Sequence, residues 1–331
     1  MTRNANFKRR VRARAAKTGE SYTTALSHIR KSEPVDLARP VRSLRLAVAQ
    51  TTTYDDPRDI SQLRAAGVEI RRLMQASKQA GARLLHLPEG ATCSPNKRIM
   101  SSTGRHPIGP SDWSRFEWAV QREELNAVRL LARELELWTV LGAVHQLSGT
   151  HRPYNCLYVI SDSGELVTRY DERMLSNTKI SFMYSPGTVP ITFEVDAVRF
   201  GLSLGMEVNF PEIFREYEQM DVDCVLFSTT GGTVESDAAF AIEAQGHAAS
   251  NRYWVSFATL AKGEAALSGI ARPEGGWAAR CNLPETPSIA VADIELNGDE
   301  LARPWRRQAR LGLYRPYQVE GDIRSDDRLA F

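Results

Sequence analysis

Ten short apolar or alternating runs, each five to nine residues long, recur along this 331-residue chain. They are "LRLAVAQT", "ARLLHLPE", "LWTVLGAV", "NCLYVIS", "ELVTRYD", "ITFEV", "RFGLSLG", "DCVLFST", "YWVSFAT" and "SIAVADIEL". Runs of this length that end in turn residues read as strands. Helical spacing lies between several of them. Leu63, Ala66, Ile70 and Leu73 mark one face of a helix that Gly81 ends. Val128, Leu131, Ala132 and Leu135 mark the apolar side of a helix over 113–135, and further helices are expected at 212–220 and around 237–250. Some runs alternate with helices, whereas 155–161 and 165–171 are joined only by Asp162-Ser163-Gly164. This mixture predicts mixed sheets with helices packed outside them, one layered α/β domain.

Composition narrows the class. Hydrophobic residues make up 42% and charged residues 25%, which suits a soluble chain with a substantial core. No apolar run approaches the ~18 residues that span a bilayer, and the basic N-terminus lacks the apolar stretch of a signal peptide. The expectation is a cytoplasmic protein without membrane contact. Cys93, Cys156, Cys224 and Cys281 are far apart and form no C-x-x-C pair, so neither a disulfide framework nor a zinc site is indicated. No cofactor and no metal are expected.

The net charge of +2 conceals an asymmetry, because residues 1–43 hold 11 Lys/Arg against 3 Asp/Glu. Two short helices meeting at Thr18-Gly19 are expected there, with narrow apolar stripes and a Pro34/Pro40 linker behind them. This end reads as a solvated or docked extension. The competing reading is an arm that neutralises nucleic-acid phosphates. The organisation expected is a basic helical extension at 1–43, a main domain at 44–297 and a C-terminal tail at 298–331.

"GLSLGMEVNFPEIFRE", residues 201–216, is a strand running into a turn and then a helix. Such turns expose nucleophiles in many α/β hydrolytic enzymes. Here the tip is Gly205-Met206, without Cys, and the one Ser, Ser203, lies within the strand. Glu89 follows "LLHLP" at the end of another strand, where α/β sheets place functional groups.

These stretches, with "YNCLYVISDSGELVTRYDERML", "YSPG", "DVDCVLFSTTGG", "RYWVSFAT" and "RRQARLGLYRPY", resemble the nitrilase superfamily of carbon–nitrogen hydrolases over roughly residues 44–317. The resemblance implies a four-layer α-β-β-α sandwich and dimers paired across outer helices. It also implies a Glu general base, a Lys that steadies the tetrahedral intermediate and a Cys that attacks the nitrile or amide carbon. A thiol needs an activating base or positive charge, and an oxyanion needs a fixed donor.

Carried over residue by residue, Glu89 matches the base. Glu172 stands at the Lys position of "Tyr-x-Lys", and Gly205 stands at the Cys position. Some branches of the family place a further Glu before the "PG"; here that segment offers Lys179. Met206 and Glu207 are expected at the pocket. Ser203, Arg173 and Cys93 are the candidate substitutes. Facing carboxylates at 89 and 172 should raise one pKa or hold a cation, such as an amine or a hard metal. The alternative is that Glu172 turns to solvent or pairs with Arg173. The sequence therefore predicts a member of this family without hydrolase activity, binding a small amine, amide or carboxamide, or a protein partner, and forming a homodimer. The competing readings are an active amide or nitrile hydrolase with unconventional groups, and a nucleic-acid-associated protein acting through residues 1–43.

Overall fold

The computed structural model describes residues 42–231, 234–262, 266–296, 302–326, 328, 329 and Arg12. The chain divides into two units, Met1–Val41 and Arg42–Phe331. The helices and basic arm expected within residues 1–43 lie outside the described residues, save that Arg42 and Ser43 open the first strand.

Two six-stranded sheets form the second unit. The first contains β1 (Arg42–Gln50), β2 (Leu84–His86), β3 (Trp138–His145), β4 (Tyr154–Ile160), β5 (Leu166–Asp171) and, at its far edge, β12 (Ser288–Leu296), in the order β12-β1-β2-β3-β4-β5. The second contains β6 (Thr192–Val195), β7 (Val198–Leu204), β8 (Cys224–Ser228), β9 (Trp254–Ala258), β10 (Gly269–Ala271) and β11 (Trp277–Arg280), in the order β11-β10-β9-β8-β7-β6. Central strands joined through helices are parallel, and strands joined by tight turns are antiparallel.

Helices α1 (Ile60–Gln79) and α2 (Trp118–Leu135) cover the first sheet, while α3 (Pro211–Gln219) and α4 (Val234–Asn251) cover the second. The layering follows from strands buried on both faces. Leu84 joins Leu46, Val48, Leu204 and Leu226 between the sheets, whereas its neighbour Leu85 packs outward with Ile70, Leu73 and Val128. On the other side Phe214, Tyr217, Ala244 and Ala248 pack on Val225 and Phe227. Each such fully buried Leu or Phe is worth about 1.5–3 kcal/mol.

Three expectations are corrected. The helix expected at 113–135 starts at Trp118, because Asp112 caps a separate short turn at Trp113–Arg115 and Phe116 is extended. The strand expected over 82–89 stops at His86, since Pro88 has no N–H for the ladder. Strands β10 and β11 were not expected. The tail adds helix α5 (Ala302–Arg310), whose Arg307 and Arg310 donate to the buried Glu218 carboxylate at 3.0 and 2.8 Å.

A buried polar link crosses between the sheets at His86. His86 is fully buried, with Nε2 at 2.7 Å from Ser228 Oγ and Nδ1 at 2.9 Å from Ser256 Oγ. Ser228 Oγ uses its hydrogen on the Leu87 carbonyl at 3.0 Å. His86 therefore donates from Nε2, and in the neutral ring Nδ1 accepts from the Ser256 hydroxyl. Burial pushes its pKa down to about 3. The unfolded chain takes up this proton first, so the stabilisation is complete above about pH 6.5 and is lost as pH falls from there. Urea denaturation across this range should show wild type losing up to about 1.4 kcal/mol per pH unit more than His86→Gln. Parallel losses in the two proteins would refute a buried neutral His86.

Candidate functional site

Glu89 lies three residues beyond β2, in a turn pressed against β3. Leu87 N–H donates to Val140 at 2.9 Å, and Ala91 N–H closes the turn on Pro88. This approach depends on Gly142, where a Cβ would come within 2.1 Å of the Pro88 carbonyl oxygen. The Glu89 carboxylate is 5% exposed and accepts from Thr230 N–H at 2.9 Å, a donor at the end of β8 in the opposite sheet.

Gly205 begins a short 3-10 turn, Gly205–Asn209, between β7 and α3. Its φ of +65° is a glycine conformation. Buried Glu207 ties this turn to the segment after β5. It accepts from Leu204 N–H at 2.8 Å, from Arg173 N–H at 2.6 Å, from Met174 N–H at 3.2 Å and from Tyr170 Oη at 2.7 Å. Burial pushes its carboxyl up, and the Tyr170 hydroxyl and the backbone amides hold it back. Glu207 is thus a staple between two chain segments.

The staple sets Glu172 directly over Gly205. A Cβ at 205 would lie 2.1 Å from Glu172 Oε1 and 2.8 Å from Lys179 Nζ. Lys179 comes from a single π-helical turn, Lys179–Met183, anchored by Arg152 on the Ile180 carbonyl and by Trp113 Nε1 on the Met183 carbonyl. Its ammonium donates to Glu89 Oε1 at 2.6 Å and to Glu172 Oε1 and Oε2 at 2.9 and 2.7 Å. Asn155, on β4, donates from Nδ2 to Glu89 Oε1 at 2.9 Å and to Glu172 Oε2 at 2.5 Å. Two carboxylates from two strand ends are therefore bridged by one ammonium and one amide.

Burial pushes the Glu172 carboxyl up to about 8; Lys179 opposes the rise, and Glu89 and Glu207 add to it. For Lys179 burial works against the charge, but Glu172 and Glu89 outweigh it and hold the ammonium above its ordinary range. The Glu172 side chain is 0% exposed and that of Lys179 17%, so Lys179 forms the solvent side of the cluster.

The structure brings Glu89, Glu172 and Gly205 together. The cation between the carboxylates is the chain's own Lys179. Glu172 neither turns to solvent nor pairs with Arg173, which instead meets Glu216 at 2.9 Å and Tyr170 Oη at 3.2 Å. Ser203 is fully buried, 3.3 Å from Glu207 Oε2. Cys93 is buried among Leu63, Phe116 and Met183, and burial pushes its thiol up. Met206 is half-buried beside the tip. None of the three candidate substitutes is placed as a nucleophile. Among the described residues no group of His, Cys, Asp and Glu is arranged to hold a metal ion, and no helix is long and apolar enough to cross a membrane. Sequence reasoning missed Asn155 and the bridging position of Lys179. The available signal was an unexpected Glu followed seven residues later by a Lys, before Ser-Pro-Gly.

A family model for carbon–nitrogen hydrolases matches residues 45–306. Deaminated glutathione amidase of Bos taurus is 24% identical over 207 residues, covering 57% of this chain and 62% of that protein, so the match spans under two thirds of its length. Omega-amidase NIT2 of Bos taurus is 24% identical over 238 residues, covering 68% and 80%. Among solved structures, an amidase from Nesterenkonia sp. superposes with a TM-score of 0.62 at 18% identity, covering 85% of this chain and 98% of that one. The C. elegans NitFhit protein superposes with 0.64 at 19% identity, covering 83% and 65%. These likenesses show the α-β-β-α sandwich.

Removing one partner of a buried ion pair typically costs about 3–5 kcal/mol. Lys179→Met should approach that loss at pH 8 and lose less at about pH 5.5, where the stranded carboxyls take up protons. Adding Glu172→Gln should recover part of it. Chemical denaturation of the single and double variants measures this coupling, and additive losses would show that the cluster is not a unit.

Proposed function

This chain belongs to the carbon–nitrogen hydrolase family, and from that premise we propose that it does not hydrolyse C–N bonds by thiol chemistry and instead acts by binding. The observation that carries the reading is the 2.1 Å separation between Glu172 Oε1 and a Cβ at position 205. A carboxylate fills the space into which a nucleophile on that turn would project. Without a nucleophile at the tip the covalent route is closed.

The remaining groups suit a small polar ligand carrying an amine, amide or carboxamide. Glu89 and Glu172 accept hydrogen bonds from its nitrogen, and Lys179 and Asn155 donate to its oxygen. Lys179, at the solvent side, must withdraw for such a ligand to enter. A second reading draws on the 2.6 Å contact between Glu89 and Lys179. It has a base and an ammonium working on water, which makes the chain a hydrolase without a thiol.

A panel of small amides and nitriles, followed by mass spectrometry, separates the two. The binding reading expects no product above background, and saturable thermal stabilisation by some panel members that Glu89→Ala abolishes. Turnover that Glu89→Ala removes would establish the second reading in its place. A further variant tests the space itself. Gly205→Cys alone should lose at least about 2 kcal/mol, from left-handed strain and the clash. Gly205→Cys with Glu172→Ala should lose less than the sum of the two single losses, by about 0.5–3 kcal/mol.

A further inference from the structure

Three ionisable side chains and one amide meet over Gly205, and they do not balance. With Glu89, Glu172 and Lys179 all charged, the cluster carries one surplus negative charge. The surplus falls where water is least available, since the Glu172 side chain is 0% exposed. The groups facing it come from every element packed there. Glu89 comes from the end of β2, Asn155 from β4, Lys179 and Tyr184 from the π turn and its end, and Glu207 from the turn after β7. Lys179 is the one cation within this set. Glu89 and Glu172 each take three donor contacts, but the Glu172 side chain is the more buried, 0% against 5% exposed, and only Glu172 also faces Glu207. A proton on the cluster therefore belongs on Glu172.

We propose that the Glu89–Lys179–Glu172 cluster is a proton-operated latch: with a proton on Glu172 it is charge-balanced and seals the space over Gly205, and loss of that proton releases the side chains of 172 and 179. An ionised Glu172 faces Glu89 and Glu207 across a dry volume with a single ammonium to share. Hydration relieves this, and the hydrated route leads past Lys179, whose side chain is 17% exposed. The folded carboxyl is pushed up to about 8, whereas an exposed one titrates near 4.3. Opening thus releases a proton between these values. It becomes easier as pH rises through that window and levels off above about 8.

This inference deepens the binding reading by naming what controls access to the same site. It is tested by hydrogen exchange with mass spectrometry on the whole chain, corrected for the intrinsic pH dependence of exchange. In wild type, protection of peptides spanning 172–187 and 203–209 should fall by up to about tenfold per pH unit between about pH 5 and 8. Peptides from β1 should not follow. Glu172→Gln, a neutral shape-mimic of the protonated acid, should remove the dependence. Protection in wild type that does not change with pH, or a dependence that persists in Glu172→Gln, overturns the latch. Should that variant fail to fold, the infrared carbonyl band of a protonated carboxylic acid decides. Its presence at about pH 6 and loss by about pH 9 in Glu207→Gln, which removes the other buried carboxyl pushed up at this site, supports the latch, and its absence from wild type at about pH 6 overturns it. Neither readout uses turnover or a ligand. Hydrolysis by the panel would sink the binding reading alone, and flat exchange would sink the latch alone.

Discussion

The site is organised around a volume that any side chain at position 205 would occupy. Glycine leaves it open, and Glu172 fills it. Everything nearby follows from that exchange. A carboxylate placed in a dry volume needs a cation, and Lys179 reaches in from a surface turn to supply it. Two carboxylates around one ammonium need further donors, and Asn155 and the Thr230 amide supply those. The cost of burying these charges is offset by hydrogen bonds that leave little of the cluster unsatisfied.

Two other buried polar groups make this geometry repeatable. Glu207 gathers amides from two separate segments, so Glu172 and Gly205 cannot drift apart without losing several charge-assisted bonds at once. His86 links β2 to β8 and β9, the strands that carry Glu89 on one side and Thr230 on the other. One works along the surface of the site and the other beneath it. Both are carboxyl or imidazole groups that an apolar core would not tolerate unbonded.

Much of this was legible in the chain. Both-face burial makes the long central strands read as continuous apolar runs, and the Gly81 stop and the Glu89 turn were each marked by residues with a fixed local meaning. The strands that escaped notice, β10 and β11, are three and four residues long and contain Gly and Ala rather than a clear alternation. That a glycine stands at 205 and a carboxylate at 172 could be read from the chain. How they fit together could not. Lys179 stands 90 residues from Glu89 along the chain, and a single π-helical turn aims it. No periodic signal encodes that aim, because the turn is held by contacts to Arg152 and Trp113 from distant loops.

The mutual exclusion of Glu172 and a side chain at 205 also orders any mutational route. From this sequence, a change at 205 meets an occupied volume and a left-handed backbone together. A change at 172 meets an ammonium left with half its partners. Only shortening residue 172 first leaves the chain with room to accept the second step. The two positions are epistatic by geometry, and a path that begins at 205 starts uphill.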